Sequence, residues 1–179
     1  MRPARWLLPW LVWGCATAAW VPSQDGFRNP ELGYRVARPD PGAGGAPAWQ
    51  QVELPGAEIG FRRGGASMAF QRRCQLPIAP PSILARHLVI GSESREFVKA
   101  GPVELALRSG WAQVYLVQTE AGERLRLETV TLLEAGCALD WLLVSRPDDA
   151  AAAQSFERWW HSFEFEAPDP SAAADAGAR

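Results

Sequence analysis

Cys137-Ala-Leu-Asp-Trp-Leu-Leu-Val-Ser-Arg-Pro-Asp-Asp-Ala-Ala-Ala-Ala-Gln-Ser-Phe-Glu-Arg-Trp-Trp-His-Ser-Phe163 reads as one strand, a helix cap and one amphipathic helix. The run Leu139 to Val144 is almost continuously apolar, which predicts a strand covered on both faces. Pro147 ends it, because proline has no N–H to give to a ladder. Asp148 and Asp149 then supply carboxylates of the kind that accept from the free amides of a first helical turn. Four alanines start the helix at little entropic cost, and Ala152, Phe156, Trp159, Trp160 and Phe163 recur on one stripe. Burying each of the four aromatics is worth about 1.5 to 3 kcal/mol as an upper bound. The strands before this segment must therefore build a surface for the helix to lie on.

Working outward, the chain of 179 residues has room for one domain, a targeting segment and loose ends. Its 47% apolar and 21% charged residues are ordinary for a globular protein. A net charge of -2 argues against a nucleic-acid partner. Arg62-Arg63 and Arg72-Arg73 are the basic doublets, and both read as solvated faces. Lys99 is the sole lysine among 18 basic residues, a bias we read as compositional.

Residues 1–15 read as an export signal, with Arg2 and Arg5 ahead of an apolar core from Trp6 to Trp13 that is too short to span a bilayer. Val12-Trp13-Gly14-Cys15 resembles a bacterial lipobox, which predicts lipidation of Cys15 and a membrane attachment through that lipid. Cleavage after Ala16-Thr17-Ala18 is the alternative and gives a soluble secreted chain. Either route leads to an oxidising compartment. There Cys74 and Cys137 form an even pair, read as a disulfide, with two separate buried thiols as the alternative. With only His87 and His161 as histidines, no metal site is expected, and no cofactor motif is present.

Residues 16–32 show no period and read as a tether, 33–165 as a single globular domain, and 166–179 as a disordered low-complexity tail. Within the domain, Gly33 to Pro39 alternates like a strand. Residues 40–48 are a Gly- and Pro-rich loop, and Trp49 to Leu54 is extended. Ile59 to Cys74 reads as a hairpin turning at Gly64-Gly65. Pro80-Pro81 opens a helix whose stripe is Ile83, Leu84, His87, Leu88 and Ile90, ending at Gly91, with His87 packed and hydrogen-bonded. Strands follow at 95–99, 103–107, 113–118 and 124–133 before the closing strand, all expected to be antiparallel.

The order of strands, helix, antiparallel run and terminal aromatic helix resembles the PsbP/Mog1-like α+β sandwich and bacterial lipoproteins built on it. Tyr34-Arg35-Val36-Ala37-Arg38-Pro39 followed by Trp49, and Phe156 through Ser162-Phe163, carry the likeness. It implies an α+β fold with an antiparallel sheet packed by two helices, protein binding or assembly of complexes, and no catalytic residues.

Among single residues, Asp140 is the most notable charge, expected to pair with Arg72 or Arg126, since an unpaired buried carboxylate is costly. Ser145, Asp140 and His161 have the types of a triad, but a strand end and a helix end need not converge. Trp111 and Tyr115 share one parity of their strand, an apolar face offering a docking surface. Two functions follow. The first is a non-catalytic lipoprotein of the bacterial envelope, facing the periplasm, that binds an envelope protein or an apolar ligand. The second is a small secreted hydrolase using Asp140 or His161.

Overall fold

The computed structural model describes residues 20–40, 47–76, 78–88 and 94–166. The signal, the lipobox with Cys15, residues 41–46 of the loop, Ile90 with Gly91, and residues 167–179 lie outside them. Four strands open the chain: β1 (Val21–Pro22), β2 (Gly26–Asn29), β3 (Tyr34–Ala37) and β4 (Gln50–Gln51). The hairpin β5 (Ile59–Arg63) and β6 (Ala66–Cys74) leads to α1 (Pro81–His87). Then come β7 (Ser94–Leu105), β8 (Arg108–Gln118), β9 (Arg124–Glu134), β10 (Cys137–Ser145), α2 (Ala150–His161) and β11 (Glu164–Phe165).

Two antiparallel sheets result. The larger has seven strands in the order β4-β5-β6-β10-β9-β8-β7, and the smaller has four, β1-β2-β3-β11. The fold class is α+β, as the sequence implies. The apolar run of β10 is central, between β6 and β9, with Trp141 opposite Phe70 on one side and Val130 on the other. Its odd-numbered residues Leu139, Trp141 and Leu143 are fully buried in one aromatic core with Met68, Phe70, Phe156, Trp159 and Phe163. The small sheet adds Phe27, Tyr34 and Val36 to that core. Edge-on ring contacts knit the layers: Phe27 on Phe61 at 5.7 Å, Phe61 on Trp159 at 5.5 Å and Trp141 on Phe163 at 4.9 Å. α2 and the small sheet thus cover one face of the large sheet, and α1 lies on the other, against β8, β9 and β10.

Local chemistry fixes the ends of α2. The Asp149 carboxylate accepts from the Ala152 amide at 2.8 Å and so caps the first turn. Arg63, 7% exposed, reaches that same carboxylate and lays its guanidinium over the Trp49 ring at 4.7 Å. Beyond the helix, the Ser162 hydroxyl accepts from the Ala37 amide at 3.1 Å, which ties the Ser-Phe close of α2 to β3.

Several expectations need correction. Residues 21–29 are not tether but β1 and β2, because Phe27 and Asn29 are buried against the core and the large sheet has apolar surface to cover there. The domain therefore reaches back at least to Trp20, whose indole donates to Glu58 at 2.7 Å. At the other end, Glu166 belongs to the fold rather than the tail. Its amide donates to the Gly33 carbonyl at 2.6 Å and its carboxylate pairs with Arg28 at 2.7 Å. α1 stops at His87, which is exposed rather than packed, and Leu84 with Ala85 carries the buried face. The strands expected at 95–99 and 103–107 are one strand of 12 residues, β7, with a bulge between Phe97 and Lys99. Gly101-Pro102 does not break it, because β7 is an edge strand and an edge tolerates a missing N–H.

Candidate functional site

Cys74 and Cys137 are register partners on β6 and β10 and form a disulfide, with Cα atoms 4.1 Å apart. The bridge fastens the central pair of strands at one end, and along the same ladder Phe70 lies opposite Trp141, with Met68 and Leu139 in the same core. It is a structural element rather than a reactive one.

Asp140 occupies the same strand as the aromatic core but points to the opposite face. It is 0% exposed, and one carboxylate oxygen accepts from Arg73 Nε at 2.6 Å while the other accepts from the Thr131 hydroxyl at 2.7 Å. The paired reading holds, with a different partner from those expected. Arg72 and Arg126 lie on the core side of their strands, where they meet Glu58 at 3.3 Å and Glu128 at 2.6 Å. Arg73, two residues along β6 from Asp140's register partner Gln71, shares Asp140's side. With both oxygens engaged, this carboxylate is a structural cross-link between β6, β9 and β10.

The triad types do not come together. Ser145 has the parity of the core face and donates to the Arg146 carbonyl at 3.1 Å. His161 stands exposed at the end of α2, its ring stacked on Trp160 at 3.6 Å. α2 and Asp140 are on opposite sides of the sheet. Among the described residues no group of three or more His, Cys, Asp or Glu is placed to hold a metal, and no helix is long and apolar enough to cross a membrane.

The α1 side of the sheet is where Trp111 and Tyr115 are found. Trp111 continues the row Gln71–Asp140–Thr131, and Tyr115 lies two positions along. Both are half-buried. Together with Arg86 of α1 and Arg95, Phe97 and Gln113, they line a groove of ≈ 420 Å³. The floor is held by Gln113, 1% exposed, whose amide donates to the Ala85 carbonyl at 2.7 Å and so pins α1 to β8. Phe97 is 60% exposed and meets Tyr115 edge-on at 5.8 Å. A second, smaller hollow of ≈ 180 Å³ on this side is lined by Leu54, Pro55, Ala57, Leu142 and Val144. The sequence pattern shows Trp111 and Tyr115 by parity alone. It misses Phe97, Arg86 and Arg95, because their proximity depends on the β7 bulge and on where α1 docks.

Few side chains here are electrostatically unusual. Burial pushes the Tyr34 phenol above its ordinary value, since the phenolate would lose hydration, against a smaller opposing pull from Arg72. The hydrogen bond from Arg146 holds the exposed Asp148 carboxyl below the usual carboxylate range. Neither lies in the groove, which therefore offers apolar contact, stacking surface and guanidinium donors but no acid–base pair.

No protein-family profile matches the chain, and no curated protein matches it. Among solved structures, the solution structure of cyanobacterial PsbP (CyanoP) from Synechocystis is similar with a TM-score of 0.54 at 14% identity, covering 85% of this chain and 95% of that one. LpqN of Mycobacterium tuberculosis, described as involved in cell envelope biogenesis, is similar with a TM-score of 0.54 at 10% identity, covering 75% and 83%. These likenesses cover most of each of those chains, and at such low identity they bear on the fold alone. The chain has a PsbP-like fold.

Proposed function

We propose that this is a non-catalytic protein of the bacterial envelope, held to the membrane by a lipid on Cys15 and facing the periplasm, whose domain binds a partner protein on the α1 side of its large sheet. The observation that carries the reading is Phe97, a ring left 60% exposed on a sheet face where it joins Trp111, Tyr115 and two arginines in one groove. Aromatic and arginine side chains are the types that dominate protein interfaces. The Cys74–Cys137 bridge supports an oxidising compartment. The two oxygens of Asp140 are both occupied, which speaks against its use as a general acid or base.

A photo-crosslinking residue at Phe97 tests the docking face in the producing bacterium. It should give a discrete adduct in the envelope, while the same group at Leu107, 96% exposed on the β7–β8 turn, should not. Equal labelling from both positions, or turnover of ester, peptide or glycoside substrates that survives purification, would overturn the reading. Labelled palmitate should enter the protein and be lost in Cys15→Ala.

A further inference from the structure

The folded domain begins close to Cys15. Trp20 packs edge-on against Phe70 at 5.4 Å and donates to Glu58 at 2.7 Å, so the chain is already part of the core there. Only Ala16, Thr17, Ala18 and Ala19 stand between it and Cys15. At no more than about 3.6 Å per residue, those five steps put the Cα atoms of Cys15 and Trp20 within about 18 Å of each other. Strand β8 alone, rising about 3.3 Å per residue, runs for about 33 Å from Arg108 to Gln118. A link about half that long fixes which end of the domain meets a membrane that holds Cys15.

Ion pairs at the strand ends show which end that is. Glu58, the partner of Trp20, pairs with Arg72, two residues before the Cys74–Cys137 bridge. Across the ladder Cys137 faces Glu134, which pairs with Arg108 at the start of β8. Trp20, the disulfide, the β9–β10 turn and the β7–β8 turn therefore share one end of the sandwich.

Three large apolar side chains that the fold leaves in water lie at this end. Leu107, 96% exposed, tips the β7–β8 turn, the fully exposed Ile78 follows Cys74 by four residues, and Val21 adjoins Trp20. Leu107 is the most telling. It holds φ 63°, a left-handed conformation that glycine or asparagine adopts at less cost, and its side chain gains no burial in return. At the opposite end the β8–β9 turn, Thr119-Glu-Ala-Gly-Glu123, has no large apolar residue. The charges around Leu107 are matched, Arg108 with Glu134, Arg72 with Glu58 and Arg28 with Glu166. A surface of paired charge and projecting apolar side chains gains by entering a bilayer boundary and needs no anionic lipid to do so.

Given the lipid on Cys15 proposed above, on which this rests, we infer that the disulfide end of the domain lies on the bilayer surface, with Leu107, Ile78 and Val21 in the headgroup boundary. Phe97 is opposite Tyr115, seven residues along β8 from Arg108 and so about 23 Å from that end. The docking groove thus stands clear of the membrane, open to a partner protein.

The lipidated protein, purified from the envelope of the producing bacterium and reconstituted in phosphatidylcholine vesicles, tests the contact. A fluorescent amino acid replaces Leu107 in one preparation and Ala121, exposed on the far turn, in another. Acyl chains brominated near the headgroup should quench most of the emission at 107 and leave that at 121 unchanged. At about 1 M salt, where charges are screened beyond about 3 Å, the quenching at 107 should persist. The same fluorophore at Ile78 should be quenched as well, and less so when Leu107→Asn, a residue that suits the turn, is added. Equal quenching at 107 and 121, none at 107, or its loss in salt would overturn the contact in a protein whose labelled palmitate shows the anchor intact. A purified protein without palmitate would instead remove the anchor, and the contact with it.

Discussion

On the α2 side of the large sheet, Trp141, Phe70 and Phe163 meet with ring centroids 4.9 to 6.0 Å apart, and every one of them is 0 to 1% exposed. On the α1 side, the same strands present Asp140, Thr131, Thr129 and Gln113, and the aromatic rings stand at the margin, half-buried or exposed. The strands alternate, so one sequence writes both faces at once, odd positions of β10 for the first and even positions for the second. Stability resides in the first face, where the area removed from water is large. The second face is fastened by a few directional bonds, Arg73 to Asp140 and Gln113 to Ala85, which leaves surface between them free for recognition. Edge strand β7 sharpens the contrast. Its bulge at Val98, Pro102 and the charge of Lys99 are the devices that discourage strand-to-strand pairing, so the proposed docking falls to a face rather than to this edge.

The largest effect expected is at the centre of the first face. Trp141→Ala removes a ring that is 0% exposed and in contact with Phe70 and Phe163, and should cost about 3 to 5 kcal/mol by denaturant titration. That is a large part of the stability of an ordinary domain, about 5 to 15 kcal/mol. Trp141→Phe should cost much less, because the indole N–H has no protein hydrogen bond to lose among the described residues. A full-size loss in Trp141→Phe would mean that the indole edge matters more than its area.

The second face is expected to respond to charge rather than volume. Asp140→Ala leaves the Thr131 hydroxyl, 0% exposed, without its acceptor, and should cost about 1.5 to 3 kcal/mol. That is below the cost of breaking a fully buried pair, about 3 to 5 kcal/mol, because the Arg73 side chain is 27% exposed and can turn to water. Asp140→Asn keeps one acceptor oxygen for Arg73, and its amide can donate to the Thr131 hydroxyl oxygen instead, so it should recover part of the loss. If Asp140→Ala proved as costly as Trp141→Ala, the division between the two faces would fail.

Much of this arrangement is legible in the sequence where one physical signal dominates. The α2 stripe, the Asp149 cap, the central strand and the cysteine pair each follow from local pattern and composition. β1, β2 and β11 do not, because strands of two to four residues gain their pairing from a neighbour rather than from their own period. The β7–β8 turn escaped for a related reason. Ala106 and Leu107 adopt φ of 47° and 63°, a conformation normally signalled by glycine or asparagine, whereas the equivalent turn before β10 has Gly136 at φ 77° and is easily seen. Asp140's need for a partner was evident from burial alone, but choosing Arg73 over Arg72 requires the register of β6 against β10, which is a tertiary fact. The groove depends on helix placement and is written in no single stretch of chain.

The smallest effect on stability is expected where the second face turns outward. Phe97 is 60% exposed, so Phe97→Ser removes little buried area and should change unfolding by no more than about 0.5 kcal/mol, with the denaturant slope unchanged. Its contact with Tyr115 at 5.8 Å is the one ring interaction lost among the described residues, and at an exposed site that contributes at the low end of the aromatic-pair range, about 0.5 kcal/mol. Trp111→Ser should cost more, because Trp111 is half-buried in the row that carries Asp140 and Thr131. The two variants together therefore grade the face from margin to middle. A ring that contributes to recognition but not to folding leaves the midpoint of unfolding in place when it is removed. A loss above about 1 kcal/mol in Phe97→Ser would instead show that its ring is part of the packed structure, and the α1 side would then be a second core rather than a surface kept for a partner.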